Sequence, residues 1–212
     1  MPRNINLKEL EQEAWKSVFQ DGLWYIYLGL LLLAMAIGDL LSDIGVPKAW
    51  YIAIYSAFLV LPMWVQWAGR RFITLPRMGR VKFGSKRKAK LNWVRVVLFL
   101  SVLVGAGVFV TGLAVCSNRP EGLNTALVFP VAWVVNMIIV FSLGAYFLDF
   151  SRLYLIGLMY ALAVPLDIVF RKFSDIDLSF IAFGAPAMVI LIVGLVVFAR
   201  FLRDYPLLPE EA

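Results

Sequence analysis

FIAFGAPAMVILIVGLVVFARFL, residues 180–202, contains one charge, Arg200, close to its end. A helix rises about 1.5 Å per residue, so a run of this length spans the roughly 30 Å hydrocarbon core of a bilayer. Lipid offers no water to unpaired backbone groups, so a spanning run must be helical. Five more runs read the same way: 22–41, 49–68, 94–115, 125–147 and 153–170. The fifth run is short and carries Pro165. The predicted fold class is an all-α integral membrane protein with six transmembrane helices.

Composition agrees. Hydrophobic residues make up 62% of the 212-residue chain and charged ones 16%, against about 45–50% and about 25% in soluble domains. A soluble fold of this size has too little interior for so much apolar side chain. Ala34-Met35-Ala36 resembles a signal-peptide cleavage site, but acidic residues outnumber basic ones in residues 1–21. The first run is therefore expected to be a retained helix.

The single cysteine, Cys116, excludes an intramolecular disulfide framework. The chain has no histidine, which removes His-ligated haem, most catalytic zinc sites and Ser-His or Cys-His nucleophile pairs. No cofactor or metal is expected.

Basic residues orient the spans. With both termini cytoplasmic, inner segments hold 16 of the 20 Lys and Arg residues, leaving Lys48, Arg119, Arg171 and Lys172 outside. Trp24, Trp64, Trp67 and Trp93 then fall near the inner interface, and Trp50 near the outer one. The reading divides the chain into an N-terminal amphipathic interfacial helix (1–21), a six-helix domain (22–202) and a cytoplasmic tail (203–212). In the first segment Asn6 and Glu9 form a capping-box-like start, and Leu7, Leu10, Ala14, Trp15 and Val18 share one face. Asp21 is placed to cap the first spanning helix.

The long polar stretch lies in the 69–93 loop. FITL (72–75) and RVKF (80–83) flank PRMG (76–79), a composition that suits two short strands around a turn. A small basic cytoplasmic hairpin with Arg77, Arg80 and Lys82 exposed is expected, followed by a flexible basic linker. Arg77, Arg80, Lys82, Lys86, Arg87 and Lys88 are the candidate contacts for anionic phospholipid or a partner. The charge also orients the chain by itself, and no nucleic-acid reader motif accompanies it.

Within the spans, Asp39, Asp167 and Asn136 are the transport or pocket candidates, because polar and ionisable groups are costly in lipid. Asp39 and Asp167 fall at similar depth near the outer side, where Lys48, Arg171 and Lys172 are possible partners. Asn136 suits an interhelical hydrogen bond as well as a substrate contact. Small-residue pairs, Ala34 with Gly38 and Gly157 with Ala161, favour close helix packing. The motifs of intramembrane aspartic proteases, rhomboid-type proteases and phosphatidyltransferases are not met, so no enzyme activity is expected.

FQDGLW (19–24) and PRMGRVKF (76–83) resemble segments of uncharacterised multi-pass prokaryotic membrane proteins, a resemblance that implies no particular activity. In size, span number and small-residue first helix the chain is also similar to the substrate-binding subunits of energy-coupling-factor vitamin transporters. The expectation is a prokaryotic inner-membrane protein, alone, as a homo-oligomer or beside a partner membrane subunit. Its expected role is transport or conduction of a small solute or ion. The alternative is a non-catalytic module that binds anionic lipid or a partner protein through its basic loop.

Overall fold

The computed structural model describes residues 21–78, 85–118, 125–173 and 179–206, and among them there is no strand. The long helices are α1 (Leu23–Asp43), α2 (Lys48–Ala68), α4 (Ser85–Asn118), α5 (Thr125–Leu148), α6 (Arg152–Phe173) and α7 (Ser179–Asp204). A π-helical turn, Gly69–Thr74, joins α2 to the short α3 (Leu75–Met78). Five helices are long and apolar enough to cross a membrane, and α4 contributes the shorter apolar stretch Asn92–Gly107 among the described residues. Large apolar side chains stay exposed along these helices, among them Ile52, Leu103, Val131, Leu155 and Leu195. Such surfaces suit hydrocarbon rather than water. The protein is an all-helical chain of membrane-protein character.

The expected hairpin is not what its first flank forms. Residues 72–75 lie in the π-turn and the start of α3, so the second span continues as a helix past Ala68. Pro76 supplies the physical reason. Its ring clashes with the carbonyl four residues earlier in a regular α-helix. Just before it the ladder widens: the Leu75 N–H bonds the Arg70 carbonyl, five residues back. The expected linker is likewise helical from Ser85 onward, in keeping with the high helix propensity of Lys, Arg and Ala. The second flank with Arg80 and Lys82, the side chains of Lys86, Arg87 and Lys88, and the interfacial segment 1–20 lie outside the described residues.

The chain forms two compact units, residues 1–83 with 179–212, and residues 84–178. In the first, α1 packs on both α2 and α7; in the second, α5 packs on both α4 and α6. Sequential helices are neighbours as expected within each unit, but α7 docks on α1 from the far end of the chain. Glycine makes that approach possible. A Cβ at Gly194 would sit 2.7 Å from the Tyr25 Cβ, and one at Gly22 would sit 2.7 Å from the Gly194 carbonyl oxygen and the Phe198 nitrogen. The core of this contact is small or branched, with Leu32, Ala34 and Ala187 fully enclosed.

In the second unit Gly157 of α6 lies against Phe141 of α5. The Trp133 indole N–H donates to the Tyr160 carbonyl at 2.9 Å, joining α5 to α6. At one end of this unit Lys90 of α4 pairs with Asp149 at 3.0 Å, and Trp93 stacks on Phe147.

Candidate functional site

The polar centre of the first unit lies where the N-terminal end of α1 meets the π-turn. Gly22, at φ 77°, takes the left-handed conformation that begins α1. That bend turns the preceding Asp21 inward. Its carboxylate accepts the Leu23 backbone N–H at 3.1 Å and the Thr74 hydroxyl at 3.3 Å. The expected capping role is met from one position before Gly22. Asp21 is only 1% exposed, and among the described residues it is the one buried charged side chain. Burial raises its carboxyl pKa above the ordinary 3.8; the Leu23 N–H, the Arg70 charge and the Thr74 hydroxyl act in the opposite direction.

The π-turn also places Arg70 over the Trp24 ring at 5.5 Å and Arg71 over the Trp67 ring at 5.3 Å. One helical turn before Arg70, the Gln66 side-chain oxygen is buried with no hydrogen-bond partner among the described residues. Arg77, expected to be exposed, is half-buried. Its Nη1 donates to the Leu202 carbonyl at 3.0 Å and the Tyr205 carbonyl at 2.8 Å. It thereby satisfies carbonyls that the end of a helix leaves without intrahelical donors.

The candidates read from the spans fall in both units. Asp39, half-buried on α1, belongs to the first unit and lies near enough to Tyr55 for its charge to act there. Asp167 belongs to the second unit. Arg171 Nε donates to both of its carboxylate oxygens, at 3.0 and 3.2 Å. Asn136 Nδ2 donates to the Ser101 hydroxyl at 3.1 Å, tying α5 to α4. This pair lines a groove of about 260 Å³ whose other walls are apolar. A second groove of about 360 Å³ lies between α1 and α7, lined by Leu33, Ile37, Phe180, Met188 and their neighbours. Among the described residues no group of three or more metal-ligating side chains occurs.

Sequence reasoning treated Asp21 as a cap and did not connect it to Thr74 or Arg70. The available signal was a lone carboxylate directly before an apolar run, followed by a glycine able to turn it inward.

The fold and this site define a helical membrane-type protein with a buried carboxylate at one end of a three-helix unit. No protein-family model matches the chain, and no curated protein or solved structure matches it either.

Proposed function

We propose that this is a six-span, non-enzymatic protein of a prokaryotic inner membrane, with both termini cytoplasmic, that transports or conducts a small solute or ion. The observation that carries this reading is the Asp21 carboxylate, buried and hydrogen-bonded to a π-turn. Asp21 lies at the end of the bundle, just before the first span; buried ionisable groups with a charged partner cluster at functional sites, and π-turns recur at such sites. The buried Gln66 oxygen, one turn from Arg70, adds an acceptor that a passing cation, proton carrier or water can use.

Flux in proteoliposomes tests the reading. An entrapped pH-sensitive dye reports protons, and isosmotic swelling reports urea and glycerol. Protein-dependent flux that falls in Asp21→Asn supports it. An Asp39→Asn or Asp167→Asn variant that abolishes flux while Asp21→Asn does not would move the path to those residues. No flux for any probe counts against transport.

A second reading is a non-catalytic module that contacts anionic lipid or a partner subunit. The two Arg–Trp stacks on the π-turn favour it.

A further inference from the structure

We propose that the π-turn carries a headgroup site for an anionic phospholipid, centred on Arg71 with Arg70 beside it. The inference rests on the membrane-spanning reading, holds whether or not the protein transports anything, and moves the lipid-binding alternative from the Arg77–Lys88 cluster to the π-turn that opens the same stretch.

Arg71 is exposed. Ion pairs such as Lys90 with Asp149, Arg171 with Asp167 and Arg203 with Asp204 do not use Arg71, and among the described residues no carboxylate pairs with it. Its guanidinium instead lies over Trp67, and that of Arg70 over Trp24. A guanidinium attracted to an indole ring through its charge, with no ion pair to a described carboxylate, keeps N–H donors that can meet a phosphate with paired hydrogen bonds. Arg77 offers no such group from Nη1, which is shared between two carbonyls of the first unit.

The surroundings select a lipid over free phosphate. Trp64, Trp67 and Phe72 are 65%, 51% and 67% exposed, and the Trp67 and Phe72 rings meet edge to face. Tryptophan at the end of a spanning helix sits at headgroup depth, with its ring body against the acyl chains. A phosphate held by Arg71 therefore has apolar surface beside it for the attached chains.

Native mass spectrometry of the full-length protein, released from nanodiscs of phosphatidylglycerol and phosphatidylcholine in equal amounts, tests the site. The wild type is expected to retain phosphatidylglycerol preferentially. Arg71→Gln is expected to weaken that retention roughly fivefold, the equivalent of losing one basic residue at an anionic surface. Arg71→Lys, which keeps the charge but loses the planar fork, is expected to fall between them. Neutralising Lys86, Arg87 and Lys88 together should leave the preference intact. Preference unchanged in Arg71→Gln, or lost only in the loop variant, overturns the site. Displacement of the lipid by millimolar inorganic phosphate, with phosphate retained in its place, assigns the site to free phosphate and also overturns it. Because Arg70 lies beside Asp21, the decision rests on Arg71 alone. Extraction of native membranes with alkaline carbonate separates the two levels: release of the protein counts against membrane spanning itself, whereas retention without lipid preference defeats only the headgroup site.

Discussion

The Asp21 carboxylate and the Thr74 hydroxyl, 53 residues apart in the chain, hydrogen-bond at 3.3 Å. The bond joins the start of one spanning helix to a π-turn at the end of the next. The widened turn also brings Arg70 near the same carboxylate, so one residue's burial depends on the path of two helices. A carboxylate in this setting is held by specific donors but charged at a cost, because desolvation outweighs the groups that favour ionisation.

The sign of the resulting pH dependence follows from linkage. With its folded pKa raised above 3.8, Asp21 binds a proton more readily folded than unfolded. Its contribution to stability therefore decreases as pH rises from about 3.8 through the raised value, and increases as pH falls through that window. Thermal midpoints in detergent from pH 7 downward should show this increase in the wild type. In Asp21→Asn the increase should be absent.

Removing the side chain differs from neutralising it. Asp21→Ala leaves the Leu23 N–H and the Thr74 hydroxyl without their acceptor, at a cost of roughly 1–3 kcal/mol. Asp21→Asn keeps an acceptor oxygen and should be at least as stable as the wild type at neutral pH. If the alanine and asparagine variants lose equal stability, the hydrogen bonds are not what the carboxylate contributes.

Gly22→Ala should disrupt the α1–α7 contact. The left-handed backbone costs a non-glycine residue about 1–2 kcal/mol, and the new Cβ meets the Gly194 and Phe198 backbone, which cannot rotate away. Gly45→Ala is the internal control, since it shares a positive φ but has open space around it. Thermal midpoints should fall clearly further for Gly22→Ala.

Arg77→Gln should loosen the end of α7. Losing the bonds to the Leu202 and Tyr205 carbonyls is expected to cost roughly 1–3 kcal/mol, confined to the last turn. Limited trypsin digestion should cut faster after Arg203 in the variant, while hydrogen exchange in the middle of α7 stays unchanged.

Asn136→Ala and Asp167→Asn should be mild. The interhelical bond to Ser101 is worth about 0.6 kcal/mol by the average of such pairs in membranes. The Asp167–Arg171 pair is one helical turn long with Arg171 half exposed, a geometry worth about 0.3–0.5 kcal/mol. Denaturant titration checks both. A loss of flux in either variant at unchanged stability would make it a path residue.

The helices themselves were legible in the sequence because their cause is local. Length and hydropathy act within each run, so the expected run 180–202 and the observed Ser179–Asp204 agree within a turn, and Pro165 does not interrupt Arg152–Phe173. Charge counts led to an expected orientation by the same local logic. Tertiary structure alone decided that α7 returns to α1, that α2 continues through a π-turn instead of a hairpin, and that Arg77 turns inward. It also decided that Asp21, and not the polar residues within the spans, is the buried charge among the described residues. Each of these depends on partners far away in the chain: Thr74 for Asp21, Leu202 and Tyr205 for Arg77, Gly194 for Gly22. A short local pattern reports what one segment can become, but burial and pairing are set by which backbones approach closely enough to exclude everything else.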